Sequence, residues 1–179
     1  MHRYKILIGA AILAGVSVLL QVYKVALPMG VMDIDAVGVP WLISTFLFGP
    51  LGGILTSVVS AIGIGAFATT GWVGAVMKFI ATIIMVLLVA LFGKVLGYGK
   101  KSMLFAFVAC LIARPVVMVF FNYYIGIPLF FGIPADVAMR EYPVEVFLVP
   151  NAILAALDFW VAYLIVFRTK LKMRLNVES

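Results

Sequence analysis

Six apolar runs, at about 5–23, 36–49, 50–68, 72–97, 103–127 and 144–167, occupy nearly the whole chain. An α-helix rises about 1.5 Å per residue, so roughly 20 apolar residues cross the hydrocarbon core of a bilayer. Such runs in close succession point to a bundle of membrane helices. Composition agrees: 66% of the 179 residues are hydrophobic and 11% are charged, against about a quarter charged in an ordinary globular domain. A water-soluble domain of this size could not bury so much apolar surface. The chain therefore reads as an all-α integral membrane protein. We expect a six-transmembrane-helix bundle and a single domain over residues 1–179, without tandem repeat, linker or low-complexity segment.

The second run is short. The Gly49-Pro50 step separates it from the third, because proline lacks an amide hydrogen and restrains the residue before it. Runs two and three are expected to form a tight hairpin or a bent segment. The first run follows Arg3 and Lys5 but is not followed by an A-x-A-like cleavage site, so it is expected to stay as a helix. Lysines and arginines orient the bundle. With the N-terminus inside, the inner segments hold Arg3, Lys5, Lys94, Lys100, Lys101, Arg168, Lys170, Lys172 and Arg174, and the outer loops hold Lys24 and Arg140. Both termini are then cytoplasmic. Asp33, Asp35, Asp136, Glu141 and Glu145 lie outside. The net charge of +6 is anchoring charge rather than a nucleic-acid footprint, and no nucleic acid is expected as a partner.

Several chemistries are missing. The only histidine is His2, and the only cysteine, Cys110, lies in an apolar run and reads as packing. No metal cluster, Ser-His-Asp triad or internal disulfide can be built from these residues. No G-x-x-x-x-G-K-[ST] loop is present, so ATP hydrolysis by that route is excluded. The glycines of "GPLGG" and "GIGAFATTG" lie in or between apolar runs and read as packing or turn residues.

Three ionisable residues fall inside the runs: Lys78, Arg114 and Asp158. A charge near the bilayer centre costs about 2.5–3.5 kcal/mol on insertion scales, so each needs a partner or a cavity. Arg114 and Asp158 sit at similar depth on antiparallel neighbours. They read as a structural ion pair, as the floor of a ligand pocket, or as part of an ion relay. Lys78, Asn122 and Asn151 all fall in the outer half of runs four, five and six. They serve either helix–helix hydrogen bonding and snorkelling, or a polar pocket open to the outside. Trp72, Tyr123 and Tyr124 lie near enough in sequence to stack on a planar ligand. In "GAAILAGVS", Ala10 pairs with Ala14 and Ala11 with Gly15 at a spacing of four. Small residues so spaced let another helix approach, from the same chain or from a partner.

Together these residues resemble a family. "MDIDAVGVPWLISTFLFGPLGGILTSVVSAI" is similar to the first loop and following helices of the S components of energy-coupling factor (ECF) vitamin transporters, nearest the riboflavin-specific branch. "TTGWVGAVMKFI", "FFNYYIGIPLFFG" and "VPNAILAAL" resemble its fourth, fifth and sixth helices in order. The resemblance covers nearly the whole chain, through motifs that are individually loose. It implies a plasma-membrane, multi-pass subunit that binds a small-molecule vitamin from outside with high affinity and is not itself an enzyme. It further implies a partner module of one transmembrane coupling protein and two ATPase subunits. No cofactor is implied; riboflavin would be the transported ligand. Carried over by motif, Asn122 and Asn151 would contact substrate, the Asp33–Asp35 segment would gate the pocket, and Ala10 and Ala14 would dock on the coupling protein. Asp33, Trp72, Lys78 and Tyr123 join the two amides as candidate substrate-binding residues on their own chemistry and position.

The chain departs from that branch at two places. Lys78 stands where the branch usually has asparagine, and Leu154 stands where a lysine usually follows the asparagine of the sixth helix. Either the lysine has moved to another helix and kept its task, or the ligand differs. A lysine favours a carboxylate or phosphate on a ligand. The alternatives are thus an S component for another vitamin or small anionic metabolite, a small membrane enzyme, or a channel-like protein. An enzyme should show carboxylates or histidines clustered within the membrane, and a channel a polar stripe along one helix. Neither pattern is present.

Overall fold

The computed structural model describes residues 3–26 and 33–169. His2, Met32, Lys170, Lys172 and Arg174, named above, lie outside the described residues. Five helices are long and apolar enough to cross a membrane. Helix α1 covers Arg3–Leu20, α2 Gly38–Phe67, α3 Gly71–Leu96, α4 Lys100–Phe121 and α7 Glu145–Tyr163. Two-residue strands β1 (Val25–Ala26) and β2 (Asp33–Ile34) pair antiparallel between α1 and α2. A π-helical turn, Asn122–Gly126, continues α4 into α5 (Ile127–Phe131), and α6 (Ala135–Glu141) caps that end before α7. A second π-helical turn, Leu164–Arg168, extends α7.

Helix α2 is two limbs. Gly49 has φ 74° and ψ −163° ahead of Pro50, and the chain reverses there. Thr56 Oγ1 donates to Ser44 Oγ at 2.8 Å across twelve residues, a separation of about 18 Å on a straight helix. The Gly-Pro step therefore makes the expected hairpin, and the described residues form six helical limbs. Gly52 and Gly53 let the hairpin close: a Cβ at Gly53 would run into the Thr45 hydroxyl and lie 2.8 Å from a Val86 methyl.

The first limb, 38–48, is only about 16 Å long, too short to cross a core of about 30 Å. Its position resolves the difficulty. Residues 38–47 are all buried, with Trp41, Leu42 and Phe46 at the centre of the main core. Protein rather than lipid surrounds this limb, so the irregular backbone before it need not face hydrocarbon. Val37 N–H donates to Asp35 Oδ1 at 3.0 Å, and the Val37 carbonyl accepts from Ser17 Oγ at 2.9 Å. Ser17 in turn accepts from Trp41 Nε1 at 2.8 Å.

Helix α1 packs on α2 through its small residues. Ala10 and Ala14 are buried, 3% and 1% exposed, and the Ala10 carbonyl faces Thr56 Oγ1 at 3.4 Å. This corrects the docking expectation for that pair: their face is filled by the chain's own second helix. Ala11 and Gly15 lie on the open side of α1, where a Cβ at Gly15 would meet nothing within 4 Å.

Each crossing reverses the last, so the bundle has two distinct ends. One carries Arg3, Lys5, Lys94, Lys100, Lys101 and Arg168; the other, the loop end, carries β1, β2, the π-helical turn at Asn122–Gly126, α5 and α6. The short helix α6 was not expected, since "ADVAMRE" is too brief for a periodic signal.

Gly49→Ala tests the hairpin. A Cβ there meets open space, so its cost is backbone strain alone. It should lower stability by about 1–3 kcal/mol, read as an earlier unfolding transition in detergent; an unchanged transition would show that the reversal does not depend on glycine.

Candidate functional site

Proline interrupts α4 at Pro115 and α7 at Pro150, beside Arg114 and Asn151. Further along, α4 widens into the π-helical turn that begins at Asn122. Such irregularities redirect side chains that a regular helix would hold in step. At the loop end these helices and α3 part to leave a cavity of about 370 Å³, within the usual range for small-molecule sites.

Helix α3 presents Gly74, Met77, Lys78 and Ala81 to it, positions spaced i, i+3, i+4 and i+7 on one face. Helix α4 and its π-helical extension supply Arg114, Met118, Asn122 and Gly126. Ile127, Phe130 and Phe131 come from α5, Asn151 and Leu154 from α7. Gln21, Lys24 and Asp33, from the connection between α1 and α2, close one side, with Thr69 and Thr70 beyond. The lining thus mixes thioether and aromatic surface with a few converging polar groups.

Three ion pairs surround the cavity. Arg114 Nη1 meets Asp158 Oδ2 at 2.7 Å, with side chains 5% and 2% exposed. Arg114 also reaches Asn151 Oδ1 through Nε at 3.4 Å. It is therefore both the ion-pair partner and the floor of the cavity, two readings that the sequence left open. Asp158 presses on Gly38, where any Cβ would collide with its carboxylate. Lys78 Nζ is paired with Asp35 Oδ2, and the Asp35 side chain is 5% exposed. Lys24 and Asp33 pair at 2.6 Å and are more open. Both acids of the first loop are thus tied down, one from α3 and one from the segment after α1.

Asn122 Nδ2 donates to the Met118 carbonyl at 2.7 Å, and Asn151 Nδ2 to the Phe147 carbonyl at 2.8 Å. Each amide caps a carbonyl of its own helix one turn back. Its side chain is thereby held in place at the wall of the cavity.

Asp33, Lys78, Asn122 and Asn151 therefore come together, as expected. Trp72 and Tyr123 do not, and that expectation is corrected. Trp72 is 60% exposed and lies over Gly65; it precedes Gly74 by two positions, about 200° around the helix from the cavity face. Tyr123 turns one position away from Asn122, into a separate cluster. Its ring centroid is 5.0 Å from that of Phe147, and its hydroxyl donates to the Tyr142 carbonyl at 2.7 Å. Tyr124 is half exposed, against Phe120. Sequence reasoning missed Gln21, Met77, Met118, Phe130 and Phe131. The last two stand within a quoted motif, "FFNYYIGIPLFFG", but nothing in it marks which ring turns inward.

The profile of the ECF transporter substrate-specific component family matches residues 5–169. Among solved structures, one described as "Structure and mechanism of the S component of a bacterial ECF transporter" superposes with a TM-score of 0.82. The match covers 97% of this chain and 99% of that one at 23% identity, a likeness of fold. No curated protein matches the chain significantly by sequence.

The buried pair gives a stability test. Arg114→Met strands the Asp158 charge and should lower stability by about 3–5 kcal/mol. Adding Asp158→Leu should recover most of that loss in thermal unfolding in detergent. A double variant as weak as the single one would show that the pair is not an independent unit.

Proposed function

The chain belongs to the family of ECF transporter substrate-specific components, and we propose that it captures riboflavin in the cavity at the loop end and delivers it for uptake. The observation that carries this reading is the cavity itself. It is roomy enough for a small molecule, bounded on one side by Gln21, Lys24 and Asp33, and has Asn122, Asn151, Arg114 and Lys78 set against Met77, Met118 and Phe130. A flat heteroaromatic ring with carbonyl and N–H edges suits such a lining. Thioethers and aromatics cover its faces, and amides meet its edges. Leu154 lines the cavity where the riboflavin branch usually has a lysine, and Lys78 brings an ammonium from α3 instead. This supports the idea that the cation moved to another helix and kept its place in the site.

Members of this family are transporter subunits that bind a small-molecule substrate and work within an ECF module. For this chain we propose a plasma-membrane location with both termini cytoplasmic, since the end carrying Arg3, Lys5, Lys94, Lys100, Lys101 and Arg168 suits the cytoplasmic side. The loop end and its cavity then open outward. ATP hydrolysis belongs to two separate ATPase subunits, and a transmembrane coupling protein joins them to this chain. The exposed Ala11–Gly15 face of α1 replaces Ala10 and Ala14 as the docking surface in this reading.

An absorption and fluorescence spectrum of the protein purified in mild detergent tests the ligand. Flavin bands, or quenching of added riboflavin, are expected; a colourless protein that quenches none would overturn riboflavin and leave another vitamin. Asn122→Ala and Asn151→Ala should each weaken binding about tenfold or more, through the lost and unpaired hydrogen bonds, while the protein elutes as a folded species. Gly15→Trp should leave binding intact and abolish uptake in cells that carry the whole module. Normal uptake would remove that face from docking.

A further inference from the structure

Three cations line the cavity, Lys24, Lys78 and Arg114. Each has one carboxylate of its own: Asp33, Asp35 and Asp158. Among the described residues, the cavity therefore offers many donors and no surplus charge. The Lys78–Asp35 pair stands out. Lys78 lines the cavity, whereas Asp35 lies behind it, its side chain 5% exposed, with Oδ1 held by Val37 N–H at 3.0 Å and Oδ2 on the ammonium. An ammonium has three N–H donors. One serves Asp35, and among the described residues no other acceptor takes the remaining two.

We propose that Asp35 is the residue that sets the charge selectivity of the site. By cancelling the Lys78 charge from behind, it makes the cavity accept an uncharged ligand and disfavour the phosphorylated or carboxylated counterpart. The proposal rests on the reading of this cavity as the ligand site. Its physical basis is simple. In a weakly polarisable interior an unpaired ammonium draws anions strongly, whereas a compensated one offers hydrogen bonds without net attraction. An anion placed at Lys78 would in addition face the buried Asp35 carboxylate, and like charges so close repel. Discrimination then comes from what the site repels as much as from what it binds.

Asp35→Asn removes the charge and keeps an oxygen acceptor for Val37 N–H. Riboflavin and its 5′-phosphate form a neutral and anionic pair for titration by fluorescence quenching. Wild type should prefer riboflavin; the variant should shift the ratio of affinities towards the phosphate by on the order of tenfold or more. Adding Lys78→Gln to Asp35→Asn makes the position neutral again and should return the ratio to near the wild-type value. A double variant that behaves like Asp35→Asn alone would overturn the proposal, because the change would then come from loop distortion.

A second probe does not need a flavin. At constant ionic strength, inorganic phosphate should raise the melting temperature of Asp35→Asn but not of wild type or the double variant. Equal phosphate responses in all three would overturn the proposal. If wild type binds no flavin while phosphate stabilises Asp35→Asn alone, the riboflavin reading fails and the charge filter stands.

Discussion

The reversal at Gly49–Pro50 places a helical limb too short to cross a bilayer at the centre of the bundle, and the cavity depends on that limb. Residues 38–47 are covered on all sides by protein, so a limb too short to span hydrocarbon need not meet it. Val37 hands its carbonyl to Ser17 and its amide to Asp35. Gly38 gives Asp158 the room to meet Arg114. Trp41 anchors the same limb to α1 through Ser17. One hairpin thus connects Asp35 behind the cavity, the Arg114–Asp158 pair at its floor and the first helix.

The polar residues obey the same economy. In hydrocarbon an unpaired charge or amide is expensive, and the charges that line the cavity are all paired. Arg114 is shared between a carboxylate and the side chain of Asn151. Asn122 and Asn151 each cap a carbonyl of their own helix. The side chains are therefore already oriented without a ligand, which limits the ordering cost of binding. The Lys78–Asp35 pair ties the segment before α2 to α3, and Lys24–Asp33 joins the two sides of the connection between α1 and α2.

Depth along the membrane could be read from residue number, and azimuth could not. Counting residues put Arg114 level with Asp158, and Lys78 near the level of Asn122 and Asn151, because rise per residue is nearly constant. The pairing and the cavity follow those levels. Rotation about each helix depends on packing. Trp72 and Tyr123 lie at a suitable depth yet face Gly65 and Phe147. Ala10 and Ala14 form a small-residue face, but the partner is α2 of the same chain. The Lys78–Asp35 pair joins residues forty-three apart through a loop with no periodic signal of its own.

The amino-acid sequence alone determined the solvent in which the protein folds, the number of helical limbs, the break at Gly49–Pro50 and the segregation of basic residues to one end. These follow from apolar run length, proline chemistry and charge placement, all local properties of the chain. Tertiary structure alone decided which limb is central, which face of α1 is free, which carboxylate neutralises Lys78 and which aromatics line the cavity. Those outcomes depend on how helices rotate and pack against one another. That rotation is set by the shapes of side chains distant in sequence, such as Gly53 beneath Thr45 and Gly38 beneath Asp158.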